Sequence, residues 1–134
     1  MITADSSVWI GYFNGQDSPQ VQALDAALDD SAHEIVLLDV VLVEVLRGFR
    51  HDKEHEFARK ALAPLPLEVA GGQEVAFEAA AMYRRLRKNG VIVRSPIDLM
   101  VGAWCICNDC VLIHSDRDFS SMQSLEGLQS WQLQ

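Results

Sequence analysis

Basic residues are in short supply in this chain: eleven Lys and Arg stand against nineteen Asp and Glu, a formal net charge of −8. That balance argues against the long-range attraction that usually brings a protein to nucleic acid, without forbidding a nucleic-acid substrate. Cysteine is scarce as well. Cys105, Cys107 and Cys110 lie in one short stretch, and an odd, closely spaced set makes a poor disulfide framework, so a reducing compartment fits better. Long hydrophobic runs are absent too: IVLLDVVLVEVL is interrupted by Asp39 and Glu44 well short of a membrane span. The opening MITADSS lacks a basic, then apolar leader, and the expectation is a soluble, cytoplasmic protein without membrane contact. No repeat, low-complexity tract or long linker divides the chain, and 134 residues at 49% hydrophobic content fit one compact domain, residues 1–134.

Strand-like and helix-like segments alternate in what is present. MITAD reads as a short strand entering a helix with Asp5 or Ser6 at the cap and Val8, Trp9, Tyr12 and Phe13 at helical spacing. Ser18-Pro19 starts a second helix, with Val21, Leu24 and Leu28 on its apolar face. EIVLLD reads as a buried strand with Asp39 capping the next element, and VVLVEVLRGF as a helix ending near Gly48 or as one longer strand. Further on come a polar helix from Asp52 to Ala63, the short strand LEVA, and a helix over QEVAFEAAAMYRRLRKNG with Val75, Ala79, Met82 and Leu86 on one face. The expected remainder is a helix from Ile97 to Asn108, the strand VLIH, a short helix from Phe119 to Leu125 and a strand over 131–133. Strands alternating with helices predict an α/β fold, a three-layer α/β/α sandwich around a mainly parallel sheet.

The acids fall in unusual places. Asp5, Glu44, Asp98 and Asp116, with Asp118 two residues on, interrupt or border the most apolar stretches: MITAD, IVLLDVVLVEVL, SPIDLMVGAW and VLIHSDRDF. In an open parallel sheet ligands bind beyond the carboxyl ends of strands, where Asp5 and Asp116 are expected, and Asp98 and Glu44 have positions that let them face the same crevice. Gathered carboxylates repel unless a cation joins them, and a hard divalent ion such as Mg²⁺ or Mn²⁺ prefers such oxygen ligands. Each acid also has a structural explanation. Asp5 and Asp98 suit helix caps, Asp116 and Asp118 suit a turn, and Glu44, flanked by Val43, Val45 and Leu46, needs either an outward orientation or a charge partner such as Arg47 or Arg50. The basic cluster Arg84, Arg85, Arg87, Lys88 and Arg94 reads equally as a solvated helix end or as a phosphate-binding patch.

Four segments in this order, Asp5-Ser6-Ser7-Val8-Trp9, VLVEVLRG around Glu44, RSPIDLMVGAW around Asp98, and LIHSDRDF with Asp116, Asp118 and Phe119, make the chain resemble a PIN-domain protein of the VapC-type toxin ribonucleases. The resemblance spans nearly the whole length. It implies a Mg²⁺- or Mn²⁺-dependent endoribonuclease acting on structured RNA such as tRNA or ribosomal RNA, a homodimer, and a partner antitoxin. On this reading Asp5, Asp98 and Asp116 hold metal, Glu44 binds through water or orients the attacking water, Ser6 supports Asp5 by hydrogen bonding, and Asp118 is an outlying member. Where many relatives carry threonine two residues before the fourth acid, this chain has His114, with Ser115 as a possible substitute hydroxyl.

Rival patterns carry less. His51-Asp52-Lys53-Glu54-His55 matches the H-x-x-E-H spacing of a zinc site, yet it sits in a highly charged segment that an exposed helix face explains. The C-x-C-x-x-C run has no second pair and puts Cys105 and Cys107 on nearly opposite sides of a helix, so small buried hydrophobes are the expected role. A phosphoacceptor receiver-like domain would want paired acids after the first strand and a late lysine, whereas Ser6 follows Asp5 and lysine stands only at Lys53, Lys60 and Lys88. A phosphatase with D-x-D fails at Ser7. A catalytically silent PIN-like domain that only binds a partner is the other alternative. Trp9, Tyr12, Phe13 and Phe49 are the apolar residues that could dock an antitoxin segment, with core packing favoured for Trp9 and Phe49.

Overall fold

The computed structural model of the chain describes residues 1–131. Its elements run β1 (Ile2–Ala4), α1 (Ser6–Phe13), α2 (Pro19–Asp29), β2 (Leu37–Leu38), α3 (Asp39–Arg47), α4 (Asp52–Leu62), β3 (Leu67–Glu68), α5 (Gln73–Lys88), α6 (Pro96–Cys107), β4 (Val111–Ile113) and α7 (Arg117–Glu126). β1 pairs with β4 and β2 with β3, both in parallel. A parallel bridge from Ile2 to Ile35 joins the two pairs, and another from Leu112 to Ser130 extends the sheet beyond β4. The rows therefore lie in the order β3, β2, β1, β4 and Ser130.

That order defines a switch point. From β1 the chain moves one way, through α1 and α2 to β2 and then through α3 and α4 to β3. From β4 it moves the other way, through α7 to Ser130. Right-handed crossovers put helices of opposite travel on opposite faces, and α5, α6 and α7 indeed pack on one another while α1 packs on α2 and α3. In open parallel sheets ligands bind where the directions diverge, here beyond the carboxyl ends of β1 and β4. Asp5 and Asp116 leave the sheet on either side of that point.

Local signals explain the elements well. Ser18 Oγ accepts the Val21 N–H at 3.1 Å with Pro19 at the first turn, and Ser95 Oγ accepts the Asp98 N–H at 3.2 Å with Pro96 in the same position. Val75, Ala79, Met82 and Leu86 are all buried, as their spacing predicts. VVLVEVLR is helical, which resolves the helix-or-strand ambiguity.

Three expectations need correction. Only Leu37–Leu38 of EIVLLD is strand, because α3 begins at once; its cap position is Leu38, and Asp39 lies in the first turn. Asp39 Oδ1 instead accepts the N–H groups of Val40 at 2.8 Å and Ala70 at 3.0 Å, tying α3 to the chain leaving β3. Cys105 and Cys110 are buried, but Cys107 is exposed, since the last turn of α6 turns that side outward. The expected strand at 131–133 falls largely outside the described residues, though the Trp131 N–H donates to the Leu112 carbonyl at 3.2 Å. Among the described residues no helix is long and apolar enough to cross a membrane.

Candidate metal centre and its relatives

Three carboxylates converge at the switch point. Asp5, Glu44 and Asp98 each offer an oxygen within 4.8 Å of the other two. Asp5 follows β1, with its N–H bonded to the Ile113 carbonyl at 3.0 Å, so the β1–β4 ladder itself aims this residue. Glu44 projects from the middle of α3, and Asp98 from the first turn of α6. Segments far apart in sequence thus meet over one strand end.

The surroundings favour negative charge poorly. Asp5 is 5% exposed, and its Oδ1 is buried with no hydrogen-bond partner among the described residues. Its other oxygen accepts from Ser7 Oγ at 2.8 Å. Burial, and after it the charges of Asp5, Asp116, Glu44 and Asp118, push the Asp98 carboxyl up to about 7. Glu44 accepts from Ser6 Oγ at 3.1 Å, and among the described residues it forms no ion pair with Arg47 or Arg50. The hydrogen bond from Ser6 therefore goes to Glu44 rather than to Asp5. Residues 6 and 7 point in different directions on the first turn of α1, and Ser7, which the sequence did not single out, takes the Asp5 role.

Asp116 stands outside the close triad. Its Oδ1 accepts the Asp118 N–H at 2.7 Å as the cap of α7, yet its charge and that of Asp118 both reach Asp98. Ser115 is exposed, between the buried His114 and Asp116. His114 Nδ1 accepts the Asp116 N–H at 3.3 Å, which leaves Nε2–H to donate to Gln123 Oε1 at 2.9 Å. The imidazole thus steers the backbone of the fourth acid.

The basic residues do not act together. Arg85 is held by Glu78 and Glu126, while Arg84, Arg87 and Lys88 line a separate surface pocket with Tyr83, and Arg94 is exposed. Among the described residues neither the HDKEH run nor the three cysteines forms a metal-ligating group.

An all-oxygen donor set with an orphaned carboxylate atom and one carboxyl driven toward neutrality suits a hard divalent cation. Residues 2–125 match the PIN domain. The chain belongs to the PIN-domain family. This membership removes the receiver-like alternative. The PIN domain chain is similar to a VapC ribonuclease of Mycobacterium bovis and to ribonuclease VapC11 of Mycobacterium tuberculosis, 29% identical to each over 131 residues and 97% of both chains. Its fold matches VapBC2 from Rickettsia felis, bound to a promoter DNA fragment, with a TM-score of 0.76, 15% identity and 98% of each chain covered. It also matches FitAcB from Neisseria gonorrhoeae, with a TM-score of 0.71, 15% identity, and 98% and 97% coverage.

Proposed function

We propose that this PIN domain is the ribonuclease toxin of a toxin–antitoxin pair and hydrolyses phosphodiester bonds in structured RNA, such as tRNA or ribosomal RNA, with Mg²⁺ or Mn²⁺. The observation that carries the reading is the convergence of Asp5, Glu44 and Asp98 around an unsatisfied Asp5 oxygen. Relatives named as ribonucleases over 97% of the chain support the activity. When bound, the divalent ion supplies an activated water near neutral pH and offsets charge on the leaving oxygen.

The chain's own residues would divide the work. Asp5, Asp98 and, from outside the close triad, Asp116 would hold the ion, with Asp118 reinforcing the negative field. Glu44 orients the attacking water or binds the ion through water, and Ser6 fixes its carboxylate. Ser7 fixes Asp5 while leaving Oδ1 free as a ligand. Asp98 must lose its proton to bind the ion. Of this basic cluster Arg84, Arg87, Lys88 and Arg94 are available to RNA phosphates, and Arg85 is not, because two glutamates hold it.

The antitoxin completes the proposal. Phe13, Phe49 and Phe57 line a groove of about 550 Å³ between α1 and α4, and Phe57 is 69% exposed. Phe13 meets Phe49 and Phe57 edge to face at 5.9 and 6.4 Å. An apolar antitoxin segment would cover this groove, and a basic side chain from it would occupy the acidic cluster in place of metal. Trp9, at 1% exposure, belongs to the core instead. Homodimerisation, cytoplasmic residence and a single domain over 1–134 belong to the same proposal. Co-expression with the neighbouring gene product tests the partner, a stable and inactive complex being expected. Cleavage of a total-RNA sample and a set of tRNAs, with fragment ends mapped, tests the activity.

A further inference from the structure

A second cavity, of about 430 Å³, lies beside Asp116. Gln20 from α2, His114 and Ser115 after β4, Ser120 and Gln123 from α7, and Trp131 contribute to its walls. It adjoins the fourth acid through the chain, since Ser115 precedes Asp116 and Ser120 Oγ donates to the Asp116 carbonyl at 3.2 Å. Its chemistry is different. Among the described residues no Asp, Glu, Lys or Arg lines it. A phosphate would meet no cation there and a charged peptide side chain no counter-ion, whereas a neutral heterocycle with a hydrogen-bonding edge would find amides, hydroxyls and an indole.

We infer that this cavity receives a nucleobase of the RNA adjacent to the scissile phosphate, and that it prefers a keto base, guanine or uracil. The inference rests on the ribonuclease reading and adds a specificity site to it. Nucleobases splayed from single-stranded RNA are held by stacking on aromatic side chains and by hydrogen bonds to their edges. The polarity of Gln123 sets the preference. His114 Nε2–H occupies Gln123 Oε1, and His114 is fixed in that role by accepting the Asp116 N–H at Nδ1. That bond takes one lone pair of Oε1, and the amide NH₂ of Gln123, which donates only, has no partner among the described residues. Set against the 4- or 6-substituent of a base, it is satisfied by the oxygen of uracil or guanine and not by the amino group of cytosine or adenine. Gln20, which makes no side-chain hydrogen bond among the described residues, adds an amide that serves either sense. One buried histidine would thereby link the backbone at Asp116 to the choice of base.

The test has a binding arm and a cleavage arm. Full-length chain carrying Asp98→Asn is titrated with UpU, GpG, ApA and CpC while the Gln20 and Gln123 side-chain amide and Trp131 indole NMR signals are followed. UpU or GpG should move these signals at concentrations where ApA and CpC do not, and Gln123→Ala should remove the difference. Equal effects of all four, or none, would overturn the inference. In the cleavage arm, the base flanking the cut is profiled for wild type, Gln20→Ala and Gln123→Ala. Gln123→Ala should flatten a keto preference and lower cutting of the preferred RNA about tenfold, the discrimination one good amide–base contact provides, while Gln20→Ala should lower cutting of all RNAs alike. An unchanged profile in Gln123→Ala overturns the base pocket and leaves the nuclease standing. Selective base binding without any cleavage by the wild type leaves the pocket standing and removes the nuclease.

Discussion

Ser6 Oγ donates to Glu44 Oε1 at 3.1 Å across 38 positions of sequence, so the first turn of α1 fixes the one carboxylate of the cluster that comes from a helix interior. This contact predicts that Ser6→Ala leaves the fold intact while lowering metal-dependent cleavage about tenfold, the usual cost of removing a group that orients a ligand. Circular dichroism and cleavage rates measured on the same preparation check it; full activity would mean that Glu44 needs no such support.

Asp98 gives stability a definite pH dependence in the absence of metal. Its carboxyl titrates at about 7 when folded against a reference of 3.8, so between these values the folded chain binds the proton that the unfolded chain has lost. Stability should therefore fall as pH rises from about 4 to about 7 and level off above. Asp98→Asn mimics the protonated form and should be relatively more stable at about pH 8 than at about pH 5 when compared with the wild type. Thermal melts in chelator measure this, and parallel profiles for the two proteins would contradict it.

The same proton competes with the cation. Mn²⁺ or Mg²⁺ at about 100 times its dissociation constant should stabilise the chain by about 2.7 kcal/mol. The dissociation constant should weaken below about pH 7 as Asp98 protonates. Asp5→Asn should abolish the thermal shift, because Asp5 supplies the oxygen that has no other partner.

Two arginines one position apart should behave differently. Arg84→Ala should weaken RNA binding and reduce the salt dependence of log K by about 0.7, the loss of one phosphate contact on a single strand. Arg85→Ala should instead cost about 1 to 2 kcal/mol of stability, more than a surface pair, because the Glu126 side chain it holds is only 8% exposed. Filter binding across a salt series, alongside denaturant titration, separates the two effects.

These contrasts show what the sequence could carry. Helices with strong local signals, such as Ser18-Pro19 and the Val75, Ala79, Met82, Leu86 stripe, were legible because capping and period 3.6 act within one turn or a few. The convergence of Asp5, Glu44 and Asp98 was legible because each borders an apolar segment, whereas Asp116, which caps α7, follows the capping and turn reading as well. Strand limits were not: β2 has two residues, paired with Leu67 and Glu68, and α3 begins directly after it. Likewise the exchange of partners between Ser6 and Ser7 depends on the rotation of α1 relative to α3, which no local pattern encodes. The neutral cavity at Gln20 and Gln123 left no trace either, since its walls come from α2, β4 and α7 and consist of residues common on any surface.

Cleavage of RNA by wild type and Asp98→Asn, with and without Mg²⁺ or Mn²⁺, tests the central claim most directly. The account predicts cutting by the wild type only with metal, and a loss of cutting in Asp98→Asn with its fold and RNA binding retained. Undiminished cutting by Asp98→Asn, or wild-type cutting that persists in chelator, would contradict it.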